Sequence, residues 1–482
     1  MSRKEATSIK EYRAPSDDLL FEKVDESNEA ETEELSSSED SFVQDEAFEE
    51  EFEEEFEEES EDIPEKKKKQ KKPNHGLRVI AVLLAIVLFF EAVYCFVVFT
   101  DIAEIKHYRE AFIETALSTM THSWLAKYTL PEYMVEQVRQ REEYLRKAQE
   151  GIVSDQTGRF DPTESIAEDP TETEETVEVT ETELPEDAQE EAFYELYWEL
   201  NRTSFEEYLD KHPSVLKDGW DHIYINEASQ EDEGTEIYTT MGEQVLAIDV
   251  ENKLLLVRVK GTGYIGILAI GKDPSQLRVE TSEGIGSYGE DLGVIVDKSD
   301  GVIGITGSGF YDPNGGGNGG TLAGYTMCEG VEYGVHYEEY GYKRIELTKD
   351  NKMYIVESDS PVGEDVTDAV EFMPALIVDG NVLVSDDNSW VSINPRAAIG
   401  QSDKDEILML IIEGRLTGRS IGAGLDTCAA IFKRHDCYTA MNLDGGTSAV
   451  MYYRGEYVTK CSNKQLVSRY LPNAWVYGNY DD

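Results

Sequence analysis

The chain has 482 residues, of which 100 are acidic and 43 are basic, and its formal net charge is −57. So negative a protein is repelled by phosphate backbones, which argues against nucleic acid as a partner. Seven scattered histidines and five cysteines show no ligand spacing, so no zinc site is expected.

Two acidic stretches are predicted to be disordered, because they contain too few apolar residues to offset chain entropy. Residues 1–73 form an acidic tail that ends in the basic run Lys66–Lys72, and residues 151–190 form a linker rich in Glu and Thr. The repeat Phe48–Phe56 carries three phenylalanines at a spacing of four, which suits a docking strip for an unknown cytoplasmic partner. Repulsion between its glutamates favours a solvated tail instead.

A single transmembrane helix is predicted at residues 77–100. Val79–Thr100 contains fifteen Val, Ile, Leu or Phe residues and one central acid, Glu91. The apolar residues contribute roughly −4.5 to −9 kcal/mol to insertion, which exceeds the cost of about 3 kcal/mol for the acid. The basic run before the segment predicts a cytoplasmic N-terminus and an extracellular remainder. The segment lies too far from the N-terminus for a cleaved signal peptide, so the protein is expected in the cell membrane.

Residues 101–150 are predicted to form a helical stalk. Apolar residues such as Phe112, Leu117 and Trp124 recur at helical intervals, and Pro131 should interrupt the helix. Such a stalk can self-associate as a coiled coil.

Residues 191–482 are predicted to form one α+β domain, in which helices pack on a mixed β-sheet. The run Ile407–Ile412 is apolar throughout, as expected for a strand buried on both faces. The predicted strands are Val245–Val250, Leu254–Val259, Ile265–Ile270, Gly301–Ile305, Ala375–Val378, Ile407–Ile412 and Tyr438–Leu443, and the predicted helix is Gly424–His435.

A candidate ligand site follows the last of these strands. The string Asn442-Leu443-Asp444-Gly445-Gly446-Thr447-Ser448 places one carboxylate beside two glycines and two hydroxyls. Without Cβ atoms, the backbone amides of the glycines can approach an anion such as a phosphate. A tight turn between two strands is the alternative explanation.

Two further motifs are candidates for the same site. Ser308–Gly320 contains six glycines, which suits either a loop that binds oxygen-rich ligands or a flexible surface loop. It is not a nucleotide P-loop, because the Gly-Lys-Ser/Thr ending is absent, and a calcium ion could be held there. In Asn394-Pro395-Arg396, the planar guanidinium suits binding a phosphate on two oxygens, or a structural ion pair.

Together these motifs resemble the phosphodiester glycosidase family over roughly residues 220–478. Their order and spacing carry the resemblance, along with Asp273-Pro274-Ser275. Three positions depart from the family pattern: Thr306 stands where Asn is frequent, Ala397 where Thr is frequent, and Glu413 where Asp is frequent.

The resemblance implies hydrolysis of the sugar C1–O bond in a sugar-1-phosphodiester, without a cofactor, on a cell-envelope glycan or exopolysaccharide. Asp444 would activate water or stabilise positive charge at C1, and Arg396 would hold the departing phosphate. Asp312 and Glu413 are candidates for a second carboxylate. The candidate substrate-binding residues are Gly309, Phe310, Asn314, Asn442, Gly445, Gly446, Thr447, Ser448, Arg415 and Thr306.

One other function stays open at this point. The changes at Thr306 and Ala397 favour a non-catalytic surface module that binds glycans and is tethered to the cytoplasmic docking tail. A metal-dependent phosphatase or nuclease is disfavoured because no His/Asp cluster is visible.

Overall fold

The computed structural model describes residues 75–119, 122–157, 159, 185–337, 341–385 and 390–478. The acidic tail predicted for residues 1–73 and most of the linker predicted for residues 151–190 lie outside the described residues. Within them, the α-helices are α1 (His75–Phe99), α2 (Ala103–Leu117), α3 (Ser123–Thr129), α4 (Glu132–Ala148), α5 (Glu186–Leu196), α6 (Arg202–Lys211), α7 (Leu292–Lys298) and α8 (Leu425–Arg434).

Most of the described strands belong to three antiparallel sheets. The strands are β1 (Tyr224–Asn226), β2 (Gln244–Asp249), β3 (Leu254–Gly261), β4 (Tyr264–Gly271), β5 (Leu277–Thr281), β6 (Glu290–Asp291), β7 (Ile303–Thr306), β8 (Tyr325–Cys328), β9 (Val331–Gly334), β10 (Lys343–Thr348), β11 (Met353–Glu357), β12 (Val366–Phe372), β13 (Ala375–Val378), β14 (Asn381–Val382), β15 (Arg396–Ser402), β16 (Ile407–Ile412), β17 (Cys437–Asn442), β18 (Met451–Tyr453), β19 (Glu456–Tyr457), β20 (Tyr470–Leu471) and β21 (Asn473–Tyr477).

The largest sheet has nine strands in the order β1-β2-β3-β4-β16-β15-β17-β13-β14. Its central strand β16 has no solvent-exposed residue, because apolar side chains pack on both faces of the sheet. Helix α8 covers one face through Leu425, Cys428 and Phe432, which recur at the helical period. The predicted strand buried on both faces is thus confirmed.

Two five-stranded sheets share the core on the opposite face of the large sheet. Their orders are β19-β18-β7-β21-β5 and β11-β10-β12-β8-β9. Ile305 of β7 and Ile345 of β10 lie in the same apolar cluster as Ile399 of β15. Helix α7 packs on the outer side of the first of these sheets through Ile295 and Val296. Helices and several antiparallel sheets in one folded unit confirm the predicted α+β class.

Helices α2, α3 and α4 form the region predicted as a stalk, and they contact the β-sheet domain. Helix α3 ends at Thr129 and α4 begins at Glu132, as Pro131 predicts. Directly after α4, the side-chain amide of Gln149 donates to the carbonyl of Ala375 at 3.0 Å and accepts from its N–H at 3.1 Å. The helical segment is therefore docked on the domain and is not a free spacer.

Helix α1 is the one helix among the described residues that is long and apolar enough to cross a membrane. Of its 25 residues only Val98 is buried, so α1 is not a core helix of the domain. The guanidinium of Arg109 donates to the carbonyls of Val97 at 3.0 Å and Thr100 at 3.1 Å. A cation placed there satisfies free carbonyls and complements the dipole at the end of the helix.

Candidate active site

Asp444 lies where the ends of three strands meet. Leu443, directly after β17, is buried in the core, and its N–H donates to the carbonyl of Ala397 in β15 at 2.8 Å. The next N–H, of Asp444, donates to the carbonyl of Gly307 directly after β7 at 3.3 Å. Bonds to both neighbouring segments fix the backbone that carries the carboxylate.

The two glycines after Asp444 are required by the geometry of the turn. Gly446 has φ +59° and donates its N–H to the carbonyl of Pro395 at 3.0 Å. A Cβ on Gly445 would lie 2.7 Å from the same carbonyl oxygen, closer than side chains tolerate. The turn then continues as a 3₁₀ helix over Gly446–Ser448. The predicted strand-to-turn arrangement is thus present, with the Gly446 amide bonded inside the protein.

The carboxyl of Asp444 has an unusual affinity for protons. Burial raises its pKa to about 6, although a hydrogen bond from Ser448 and the positive charge of Arg469 lower it. The negative charge of Asp312 raises it further. A carboxyl with this pKa is mostly ionised at neutral pH and can still accept a proton, as a general base requires.

Asp312 forms an ion pair with Arg469, a residue that the sequence did not single out. Its Oδ2 lies 2.5 Å from Nη1 of Arg469, and its Oδ1 accepts the N–H of Gly317 at 2.6 Å. Burial raises the pKa of Asp312, but these two hydrogen bonds and the charge of Arg469 outweigh it and leave the pKa below its usual value. Arg469 also lies 4.7 Å from the ring centroid of Phe310, which fixes its plane.

Arg415 covers the other side of the turn. A Cβ on Gly446 would lie 3.4 Å from its Nη1. Its Nη2 donates to Oδ1 of Asn394 at 2.8 Å and reaches Oγ1 of Thr119 at 3.5 Å, and both partners are neutral. Burial and the positive charge of Arg396 lower the pKa of Arg415. A cation beside a second cation, bound to neutral oxygens, is well placed to attract an anion.

Residues 299–477, which contain every site residue described above except Thr119, match the phosphodiester glycosidase family model. This region belongs to the phosphodiester glycosidase family. The family predicted from the sequence motifs is confirmed. The match indicates a glycosidase-type enzyme in general.

Solved structures similar to this chain are distant. The catalytic domain of the zebrafish N-acetylglucosamine-1-phosphodiester alpha-N-acetylglucosaminidase, auto-inhibited by its pro-peptide, is 15% identical, with 47% of this chain and 82% of that one covered at a TM-score of 0.38. A hypothetical protein from Synechocystis is 13% identical, with 48% of this chain and 63% of that one covered at a TM-score of 0.34. A putative exported protein from Burkholderia pseudomallei is 15% identical, with 45% of this chain and 74% of that one covered at a TM-score of 0.33. No curated protein sequence matches the chain.

Arg396 of the phosphodiester glycosidase domain does not present its guanidinium to the Asp444 turn. Its Nε donates to the carbonyl of Ala423 at 3.0 Å, and its Nη2 donates to the carbonyl and the hydroxyl of Ser392 at 2.7 and 3.1 Å. The side chain is buried on the α8 side of the sheet, and this burial lowers the pKa of Arg396. Its donors join two loops, which is a structural role and not the predicted phosphate clamp.

Glu413 is likewise held within the glycosidase domain. Its carboxylate forms a two-pronged ion pair with Arg419, and Oε1 also accepts the N–H of Lys460 at 2.9 Å. The segment beyond Lys460 contacts the Asp444 turn, since Ser462 donates to the hydroxyl of Thr447 at 3.3 Å. Glu413 thus holds the segment at Lys460 that leads to the Asp444 turn. It is not the free second carboxylate that the sequence suggested.

The other predicted site residues divide into buried and contacting positions. Thr306 is fully buried and its hydroxyl has no partner among the described residues, while Ala397 lies in the core between the sheets. Asn442 donates to the carbonyl of Met373 at 2.7 Å. Gly309 approaches the ring of Phe372, where a Cβ would lie 2.9 Å away. The side chain of Asn314 lies outside the described part of the chain.

The end of the glycine-rich loop is packed against its neighbours, while Gly315 and Gly316 at its centre are exposed. A Cβ on Gly319 would overlap the carbonyl oxygen of Tyr470, and a Cβ on Gly320 would overlap the backbone of Ser287. Among the described residues no group of three or more His, Cys, Asp or Glu side chains is arranged to hold a metal ion. The calcium site considered for this loop therefore gains no ligand set from these residues.

Helix α2 supplies part of the site from outside the family match. The two carboxylate oxygens of Glu114 accept the N–H groups of Val391 and Ser392, each at 3.0 Å. The hydroxyl of Thr115 accepts the N–H of Ile393 at 2.9 Å, and Asn394 donates to the hydroxyl of Ser118 at 3.2 Å. Burial raises the pKa of Glu114, while these hydrogen bonds and the charge of Arg396 lower it. The segment leading into Pro395 and Arg396 is thus held by α2.

Two residues important to this arrangement escaped the sequence analysis for different reasons. Arg469 acts across 157 positions on Asp312, and nothing in its own segment indicates that pairing. Glu114 gave a weak signal, because it is a charged residue between Ile113 and Ala116 on the buried side of a predicted helix.

Proposed function

We propose that the protein is a membrane-anchored, extracellular phosphodiester glycosidase that hydrolyses the sugar C1–O bond of a sugar-1-phosphodiester. The observation that supports this most directly is the partly buried carboxyl of Asp444, whose pKa is raised to about 6 and which interacts with the charge of Arg469. The family match supports the class of reaction. The natural substrate is a glycan of the cell envelope or an exopolysaccharide joined through sugar phosphates.

The roles of the charged residues follow from the bond that breaks. The phosphomonoester that departs is already a good leaving group, so stabilising charge matters more than a strong acid. Water adds to C1 and gives its proton to Asp444, and the electron pair of the C1–O bond stays on the phosphate oxygen. Arg415 neutralises the departing phosphomonoester because its own partners are neutral. Asp312 orients Arg469, and Arg396 and Glu413 hold the frame.

The membrane anchor of this proposal is α1. Its length, its apolar composition and its exposed surface support a bilayer crossing. The run of six lysines at positions 66–72 supports a cytoplasmic N-terminus, and that orientation places the glycosidase domain outside the cell.

The test uses the full chain in lipid nanodiscs and a GlcNAc-1-phosphodiester in water enriched in ¹⁸O. We expect a free sugar that carries the label and an unlabelled phosphomonoester, because water attacks C1. Asp444→Asn should lower kcat about 10³-fold. Asp210→Asn, which changes an exposed aspartate on α6, should leave kcat unchanged.

Label in the phosphate would show P–O cleavage and would overturn the proposed reaction. Near wild-type turnover by Asp444→Asn would remove Asp444 from the mechanism. Saturable glycan binding without turnover would show that the domain is a binding module.

A further inference from the structure

The candidate site and the membrane helix are joined by one short helical cluster, formed by α2, α3 and α4. Helix α2 begins four residues after the end of α1, and its far end contacts Asn394 and Arg415. Its fifteen residues make it about 22 Å long, since an α-helix rises 1.5 Å per residue. The site therefore lies no more than one short helix away from the membrane-spanning segment.

The chain returns to the level of the membrane directly after α2. The hydroxyl of Tyr94, within α1, donates to the carbonyl of Thr129 at the end of α3 at 2.6 Å. Val98 of α1 packs in one cluster with Ile113 and Ala126. The three helices thus pack against one side of the last turns of α1, through Val98, and do not form an extended spacer beyond it.

The number of residues along this return path limits the height of the site. Thr119, which Arg415 reaches, is ten positions before Thr129. From Thr119 to Ser123 the chain advances four positions, and along α3 it advances six more to Thr129. Even with the first four positions fully extended, this path spans at most roughly 25 Å. Tyr94 lies inside the apolar span, and the headgroup layer adds roughly 5–8 Å beyond the hydrocarbon. The Asp444 turn therefore lies within roughly 20–25 Å of the lipid headgroups.

The helical cluster also exposes an aromatic surface, made of Tyr108, Phe112, Trp124, Tyr128 and Tyr133. Trp124 and Tyr128 are four residues apart on α3 and are 52% and 85% exposed. Tyr and Trp side chains at this depth are typical of the membrane–water interface, where the ring is apolar and one edge is polar. The hydrogen bond from Tyr94 places the end of α3 at that depth.

A cavity of about 320 Å³ lies beside this surface at the outer end of α1, away from the Asp444 turn. Three of its lining side chains are basic and two are acidic, and Phe99 of α1 and Tyr133 of the aromatic surface also line it. A cavity with one net positive charge, lined by both polar and apolar side chains, is compatible with a lipid headgroup. It lies next to α1 and shares Tyr133 with the exposed aromatic side chains.

We propose that, among the cell-envelope glycans named above, the substrate of this glycosidase is one borne by a membrane lipid: a sugar-1-phosphodiester whose lipid chain stays in the outer leaflet while α2–α4 rest on the headgroups. This rests on the proposed function and names its substrate class. A site held so near the bilayer meets a lipid-borne sugar phosphate at high local concentration, whereas a long polymer presents most of its linkages out of reach.

The first test compares two substrates with the same GlcNAc-1-phosphodiester head, using the full chain in nanodiscs. One substrate carries a long alkyl chain that inserts into the same bilayer, and the other carries a methyl group and stays in water. We expect kcat/KM at equal bulk concentration to be at least 100-fold higher for the lipid-borne substrate. Equal values would overturn the proposed substrate class.

The second test removes aromatic side chains. Trp124→Ala with Tyr128→Ala should lower kcat/KM about 10-fold for the lipid-borne substrate and leave the soluble one unchanged. The matched control changes Tyr238 and Tyr438, two half-exposed tyrosines of the β-sheet domain, to Ala and should affect neither. An equal loss on both substrates would show that the aromatic residues serve folding only, and would overturn the membrane surface.

A measurement independent of catalysis separates the two proposals. Brominated lipids in the nanodisc should quench the fluorescence of the wild type more than that of Trp124→Phe, because Trp124 lies at the headgroups. Equal quenching would overturn the membrane surface even if the enzyme is active. Quenching of Trp124 without turnover of either substrate would instead remove the glycosidase function on which the substrate class depends.

Discussion

The two walls of the candidate site are built in different ways. The wall that carries Asp312 and Arg469 is closed on itself, since its ion pair and its close glycine contacts all lie within the β-sheet domain. The wall that carries Pro395 and Arg415 depends on Glu114 and the residues after it on α2, outside the family match. The family domain is therefore completed by the helical segment that follows α1. A fragment that starts at residue 191 keeps one wall and lacks the support of the other.

Breaking the self-contained wall should have the largest effect. Arg469→Ala removes the partner of Asp312 and the charge that lowers the pKa of Asp444. We expect kcat/KM to fall about 100-fold, since a buried carboxylate loses its ion pair. The acidic limb of the pH profile should move to higher pH, because without Arg469 the pKa of Asp444 rises and the base is ionised only at higher pH. Kinetics from pH 4.5 to 8.5 measure both effects.

A conservative replacement of Arg469 separates the effect of its charge from the effect of its planar guanidinium. Arg469→Lys keeps the charge near Asp444 and loses the planar contact with Phe310, so it should move the pH limb less than Arg469→Ala does. An unshifted limb in both variants would contradict the electrostatic role of Arg469.

The anion-binding role of Arg415 in the second wall predicts a smaller loss. Arg415→Ala should lower kcat/KM about 30-fold, and Arg415→Lys should restore part of it because the charge is retained. Arg202→Ala on α6, which removes an exposed arginine, serves as the control. Wild-type kinetics in Arg415→Ala would show that the phosphate is held elsewhere.

Loosening the support from α2 should cost less again. Glu114→Ala leaves the N–H groups of Val391 and Ser392 without acceptors, and each unsatisfied buried donor costs about 1–3 kcal/mol. We expect a fall of about 10-fold in kcat/KM and a free energy of unfolding lower by about 2 kcal/mol. Glu114→Gln keeps one acceptor, so its kcat/KM and its free energy of unfolding should lie between those of the wild type and of Glu114→Ala. A variant that unfolds earlier yet keeps its kcat/KM would show that α2 stabilises the domain without shaping the site.

The smallest expected effect concerns stability and pH. Folding raises the pKa of Asp444 to about 6, so the folded state binds the proton more tightly than the unfolded chain does. The ionised carboxylate therefore destabilises the fold above pH 6, and this penalty disappears as pH falls towards 4. Asp444→Asn should be more stable than the wild type by about 2 kcal/mol at pH 8 and equally stable near pH 4. Denaturant unfolding at the two pH values measures the difference.

Much of the fold could be predicted because its strands are marked locally. Runs such as Leu254–Val259 and Ile407–Ile412 are apolar and bounded by polar residues, and the structure places strands there. The position of Asp444 at the end of β17 was also predictable, since two adjacent glycines after an apolar run indicate a turn. Local patterns did not mark the register in which the strands pair, or the face of the sheet on which a given side chain lies. The motif around Arg396 gives the residue type, but not that its guanidinium joins two loops on the α8 side.

Long-range partners account for the remaining differences. Glu114 meets Val391 across 277 positions, and Arg469 meets Asp312 across 157, so no local pattern records either pair. The role of the glycine-rich loop could not be predicted for another reason. Bare amides for a ligand and close packing of two backbones both require glycine, and composition alone does not distinguish them.

The central strand of the large sheet, β16, also has a consequence for biosynthesis. The six residues of β16 carry no charge, proline or glycine, and segments of this kind pair with copies of themselves when exposed. In the folded protein β16 is covered by β4, about 140 positions earlier in the chain, and by β15. Charged residues stand directly on both sides, at Lys404–Glu406 and at Glu413, and act as gatekeepers against aggregation. The heavy negative charge of the chain adds to this protection, because newly made copies repel one another until β16 is enclosed.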